Sequence, residues 1–251
     1  MPNEIRYCFI VGTGRSGTHL ITSLLRQHEM IEDLLSGKEN PNILKNIAES
    51  SQNNSINVPD VNISYYEERK KSIGDKIFLD QSHPNLFFVD DLSNRLGGTR
   101  FIAMWRDTRA VVASMLRHKG VLNWYKSANK RPFPNQFLGM VGRDDFDKLS
   151  LLEKCTLRVV AHKNRIIKEQ ILNPEIFKVI YYESICADAE FQINSIFNWL
   201  KISKIDKLTA DIKNLSVTKW QTSLSNNEID IINNIEFKFS EYNFINQTKI
   251  N

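Results

Sequence analysis

Residues 7–24 read YCFIVGTGRSGTHLITSL. The apolar run Tyr7–Val11 breaks into Gly12-Thr13-Gly14-Arg15-Ser16-Gly17-Thr18, and apolar residues then resume at helical spacing. The pattern predicts a strand, a glycine-rich turn and the start of a helix. Such a turn builds an anion site from backbone N–H groups and a helix N-terminus, so the expected cargo is a phosphate. A nucleotide triphosphatase loop would read G-x-x-x-x-G-K-[ST]. Gly12 and Gly17 have that spacing and Thr18 follows, but no lysine precedes the hydroxyl. The loop instead carries Arg15 at its centre, a planar, permanently charged fork suited to bidentate binding of a phosphate or a transferring sulfuryl group.

A second segment, TRFIAMWRDTRAVVASML at residues 99–116, has a similar grammar. Phe101–Trp105 is an apolar strand that ends in the charge of Arg106, and Asp107 or Thr108 can cap the helix that follows. Arg106 therefore stands at the C-terminal end of a strand, where open α/β sheets place their ligands. Ser114 lies about two helical turns further on and reaches the same ligand only if that helix runs beside it.

The rest of the chain agrees with one α/β unit. Its 251 residues, 41% hydrophobic and 25% charged, are ordinary for a globular protein, and no linker or internal repeat divides them. A net charge of +4 suits an anionic ligand and is too mild to argue for nucleic acid. The three cysteines, Cys8, Cys155 and Cys186, are widely spaced and form no metal pattern, which predicts no metal and a reducing compartment. MPNEIRYC carries no signal-peptide core and no apolar stretch approaches a membrane span, so a cytoplasmic location without membrane contact is expected.

Further elements follow from pattern. Residues 36–75 and 117–147 read as insertions or loops on the acceptor side, the first rich in Asn and Ser, the second irregular around Pro132 and Pro134. KIFL at 76–79 is a short strand, and residues 86–96 a helix. Residues 149–172 form a long amphipathic helix with Leu152, Cys155, Val159, Ile166 and Ile167 on its buried side. Phe177–Tyr182 is a strand, Phe191–Leu200 a helix, and Ser225 with Glu228 a capping box for a helix over 226–235. The alternation of strands and helices predicts a three-layer α/β sandwich with a central parallel sheet, like that of the P-loop nucleotide triphosphatases.

VGTGRSGTHLI resembles the 5′-phosphosulfate loop of sulfotransferases that use 3′-phosphoadenylyl sulfate (PAPS), commonly G-x-x-R-S-G-[ST]. Arg106-Asp107-Thr108-Arg109 with Ser114 resembles that family's 3′-phosphate segment, R-D-P-R-x-x-x-x-S, with threonine in place of proline. VIYYESI at 179–185, FNWLKI at 197–202 and SVTKWQTSLS at 216–225 are similar to later family segments, although the last lacks the usual glycines.

The resemblance implies a PAPS-dependent sulfotransferase that releases adenosine 3′,5′-bisphosphate (PAP) and transfers the sulfuryl group to a hydroxyl or amine of a carbohydrate or other small molecule. It assigns Gly14, Arg15, Ser16, Gly17, Thr18 and His19 to the 5′-phosphosulfate, Arg106 and Ser114 to the 3′-phosphate, and Lys219 to a loop folding over the donor. Arg15 is the expected charge stabiliser. The general base stays open between Glu39, in GKENP, and His83, in DQSHPN. Gln81 stands where relatives often place a lysine that stabilises the sulfuryl group. Two other readings remain: a P-loop nucleoside or metabolite kinase, disfavoured by the missing lysine, and a non-catalytic nucleotide-binding relative. The basic residues Arg117, Lys119, Lys126, Lys130 and Arg131 suggest either an anionic acceptor or a solvated charged face.

Overall fold

The computed structural model describes residues 4–33, 40–128, 132–139, 141–205, 207–208 and 217–247. Five parallel strands form one sheet: β1 (Tyr7–Gly12), β2 (Ile31–Glu32), β3 (Ile77–Asp80), β4 (Thr99–Trp105) and β5 (Phe177–Tyr181), in the order β2-β3-β1-β4-β5. Every residue of β1 is buried, as expected of a central parallel strand covered on both faces. Its side chains alternate between two apolar clusters: Tyr7, Phe9 and Val11 enter one, Cys8 and Ile10 the other. The first cluster is closed by α2 (Pro41–Gln52), α3 (Asp60–Ser72), α4 (Val89–Leu96), α5 (Thr108–Met115) and α8 (Leu151–Leu172). The second is closed by α1 (Thr18–Leu25), α9 (Tyr182–Ala187) and α10 (Ala189–Trp199). The expected α/β sandwich with a central parallel sheet is thus the observed fold.

The sheet order makes β1 a switch point. The chain after β1 adds β2 and β3 on one side, then crosses to add β4 and β5 on the other. Crevices at such points, beyond the carboxyl ends of the strands, are where open α/β sheets bind ligands. Gly12 pairs with Met104, so the loop after β1 and the Arg106 segment after β4 emerge side by side.

Several local expectations differ from the structure. Residues 36–75, read as an acceptor-side insertion or loops, carry α2 and α3 over most of their described part. Asn40 caps α2 by accepting from Asn42 N and Ile43 N, Pro41 opens it, and Ile43 and Ile47 bury one thin stripe. Residues 117–147 likewise contain α6 (Lys119–Ala128) and α7 (Arg143–Lys148). Ile167, assigned to the buried side of α8, is 44% exposed, whereas Leu152, Cys155, Val159 and Ile166 are buried. The Ser225–Glu228 capping box forms as expected, but its helix, α11, runs over Asn226–Gln247. Among the described residues no helix is long and apolar enough to cross a membrane.

Candidate active site

The loop between β1 and α1 is held open by its own backbone. Ser16 directs both its N–H and its hydroxyl to the Thr13 carbonyl, at 3.1 and 2.7 Å, which makes it a strut of the loop. Arg15 adopts φ +78°, a left-handed conformation uncommon for a residue with a side chain, and such strain concentrates at functional sites. Gly17, at φ +109°, occupies the N-cap of α1 and supplies no side-chain cap to the first N–H groups of the helix. A β-carbon on Gly17 would lie 2.5 Å from Tyr182 Cδ2, so only glycine fits there.

The two motifs meet at this loop. Arg15 Nε donates to Ser114 Oγ at 3.1 Å, and Arg106 Nη1 donates to the Arg15 carbonyl at 3.2 Å. Arg106 lies flat against the Tyr182 ring, its guanidinium carbon 4.0 Å from the centroid. Asp107 caps α5, accepting from Arg109 N at 2.8 Å and Ala110 N at 3.3 Å. Burial alone would raise the Asp107 carboxyl, but the Arg109 guanidinium and the helix N–H groups outweigh it and hold it below the usual carboxylate range. Its backbone N–H donates to Glu183 Oε1 at 3.1 Å, which ties the end of β4 to α9.

A third segment arrives from β3. Asp80 accepts from Ser82 N at 2.9 Å and Asn85 Nδ2 at 3.1 Å, and this fixes the turn that carries Gln81 and His83. Gln81 Nε2 lies 3.4 Å from His19 Nδ1 at the exposed start of α1. His83 is buried and faces a cavity of about 220 Å³ that also exposes Gly14, Arg15, Thr18 and His19. Its apolar lining is Leu44 and Ala48 of α2, Val121 and Trp124 of α6, and Phe137, whose ring centroid is 6.4 Å from that of His83. Asn135, fully buried, sets Phe137 by accepting from its N–H at 2.9 Å.

The cavity contains one group that the sequence reading missed. Arg158 of α8 is buried, with its guanidinium carbon 4.7 Å from the Trp124 ring and 4.6 Å from the Phe137 ring. One of its terminal nitrogens lies 3.5 Å from His83 Nε2. The available signal was an arginine three residues after Cys155 and next to Val159, on the apolar stripe of α8.

The structure thus brings together Gly14, Arg15, Thr18, His19 and His83 around one cavity, and it joins Arg106 and Ser114 to Arg15. Lys219 is exposed at the start of a 3-10 helix (Lys219–Thr222), whose Trp220 packs under Arg109, 4.1 Å from guanidinium carbon to ring centroid. Glu39, Lys130 and Arg131 lie outside the described residues. Arg117, Lys119 and Lys126 are exposed and do not line the cavity. Among the described residues no group of three or more His, Cys, Asp or Glu is placed to hold a metal ion.

A sequence profile described as "Sulfotransferase family" matches residues 8–206, well over half of the chain and inclusive of both motifs. The chain belongs to the sulfotransferase family. Solved structures agree on the fold. The sulfotransferase domain from the curacin biosynthetic pathway superposes with a TM-score of 0.62 at 12% identity, covering 95% of this chain and 98% of that one. The sulfotransferase domain of the Synechococcus PCC 7002 olefin synthase gives 0.53 at 12% identity, covering 93% and 95%. A sulfotransferase from Mycobacterium avium gives 0.53 at 13% identity, covering 96% of this chain and 76% of that one. No curated protein matches the chain. Membership makes the cavity above the candidate active site of a sulfotransferase, with Arg15, Thr18 and His83 at its polar end.

Proposed function

We propose that the chain transfers a sulfuryl group from PAPS to a hydroxyl of a small-molecule acceptor, the two meeting in the cavity before Arg15 and His83. The observation that carries this reading is the junction of the two motifs: Arg15 bonds Ser114 through its side chain and accepts from Arg106 through its carbonyl. A donor with phosphate at both its 5′ and 3′ ends needs two anion sites held at a fixed separation, and this junction fixes one. The residues present suit a polyanion. The N-terminus of α1 carries no side-chain cap, and Arg15, Arg106, Thr18 and Ser114 add charge and hydroxyl donors around it.

Gly14, Arg15, Gly17 and Thr18 hold the 5′-phosphosulfate, and Arg106 with Ser114 holds the 3′-phosphate. The bound donor supplies the sulfuryl group, whose bond to the 5′-phosphate oxygen breaks as one to the acceptor oxygen forms, leaving PAP. Arg15 stabilises the charge that grows on the departing side. His83, which lines the same cavity, receives the acceptor's proton on a ring nitrogen. Positioning accounts for much of the remainder, because both reactants lie in one small chamber. The chamber's apolar lining of Leu44, Ala48, Val121, Trp124 and Phe137 suits an acceptor with a compact apolar body beside its hydroxyl.

The test is formation of PAP from PAPS with a panel of phenols, alcohols and monosaccharides, in the native chain and in Arg15→Ala. The native chain should form sulfated product, and Arg15→Ala should lose transfer while PAP binding stays measurable, because PAP lacks the sulfuryl group. Transfer and PAP binding both untouched in Arg15→Ala would remove the loop from the site.

A further inference from the structure

Arg158 has an environment that a structural arginine rarely has. It is buried, although burying a charge is costly and is normally offset by specific contacts. Trp124 and Phe137 pack against its guanidinium, 4.7 and 4.6 Å from the guanidinium carbon to each ring centroid. The guanidinium also reaches the loop: a β-carbon built on Gly14 would sit 3.5 Å from an Arg158 terminal nitrogen and 3.4 Å from His83 Nε2. Gly14, Arg158 and His83 thus meet at the cavity beside the loop that would hold the donor's sulfuryl end.

We propose that Arg158 is a catalytic residue whose guanidinium contacts the non-bridging oxygens of the sulfuryl group from the side opposite Arg15. This rests on the PAPS reading given above. Arg15 comes from the loop and neutralises charge on the leaving phosphate side. Arg158 comes from α8 and is held before the donor arrives, so it needs no rearrangement during transfer, which is the condition under which a fixed charge is most effective. The transfer remains a displacement at sulfur: the bond to the 5′-phosphate oxygen breaks, the bond to the acceptor oxygen forms, the acceptor's proton passes to His83, and PAP leaves. Arg158 stays protonated throughout and exchanges no atom. Trp124 and Phe137, with ring centroids 5.3 Å apart, form one aromatic surface against which the guanidinium rests.

The experiment measures the affinities of PAPS and PAP separately by calorimetry, in the native chain, Arg158→Met and Arg158→Lys, with a thermal melt of each. Sulfate released from PAPS with water as acceptor gives a rate. In Arg158→Met, PAPS affinity should fall about tenfold while PAP affinity changes less than twofold, and sulfate release should slow about a hundredfold. Arg158→Lys keeps the charge but loses the fork, so it should fall between, and it decides the matter if the methionine variant does not fold. Equal losses for PAPS and PAP, or an unchanged ratio in both variants, would make Arg158 a pillar of the cavity only and overturn the proposal. A native chain that binds neither nucleotide would instead overturn the donor reading.

Discussion

Gly17→Ala probes the coupling between the loop and the Arg106 segment, the proposed 3′-phosphate site. The substitution acts twice. Its backbone stands at φ +109°, where an L side chain costs about 1–2 kcal/mol. Its new methyl would lie 2.5 Å from Tyr182 Cδ2 and 3.3 Å from Met104 Cε, and forced overpacking costs about 1–3 kcal/mol. The sum is about 2–5 kcal/mol. At about 2–4 °C per kcal/mol for a chain of this size, a mid-range loss of about 3 kcal/mol lowers the melting temperature by about 6–12 °C. The collision also displaces the ring on which Arg106 rests, so PAP affinity should fall about tenfold, the effect of about 1.4 kcal/mol. Gly74→Ala is the control: its φ is +62° and nothing lies within 4 Å of the added carbon, so only backbone strain of about 1 kcal/mol applies. Scanning calorimetry of both variants, followed by PAP titration, separates the two terms. A Gly17→Ala chain that melts no lower than Gly74→Ala and binds PAP like the native chain would refute the packing argument and the link from loop to Arg106.

Two further outcomes follow from the same geometry. Arg106→Ala should weaken PAP at least tenfold more than 5′-AMP, because only PAP carries the 3′-phosphate; equal losses measured by calorimetry would take Arg106 out of that subsite. His162, fully buried between Phe87 and Phe137, is held well below the ordinary imidazole value near 6.5 by burial first, then by Arg158 and His83. The unfolded chain therefore binds a proton that the folded chain refuses between that depressed value and about 6.5, so stability is complete above pH 6.5 and falls as pH drops through the window. Melting temperature measured from pH 7 to 5 should decline in the native chain and decline less in His162→Leu; identical slopes would remove His162 as a cause.

The parts of the fold written in local code were legible. The run Tyr7–Val11, the glycines after it and the apolar spacing of α1 each specify their conformation through neighbours in sequence. Asp107 as a helix cap and the Ser225–Glu228 box are likewise short-range signals. The helices over 41–52 and 60–72 were hidden because their buried stripes are thin: α2 buries only Ile43 and Ile47 as apolar residues, and α3 buries Asn62 and Lys70 beside Ile63 and Tyr66. Asn40 followed by Pro41 was the readable start signal. β2, two residues long, carries no period at all. Within the site, the loop and Arg106 were readable as motifs. Arg158 was not picked out, because its place on the apolar stripe of α8 marks it as buried but not as facing this cavity, which depends on how a distant helix packs.

The most direct measurement is a calorimetric titration of the chain with PAP, run beside ATP plus magnesium. The account predicts tight, saturable binding of PAP and weak binding of ATP, since the site proposed at Arg106 and Ser114 takes a 3′-phosphate that ATP lacks. Tight binding of magnesium–ATP with weak binding of PAP would contradict it and point to a kinase-like donor site.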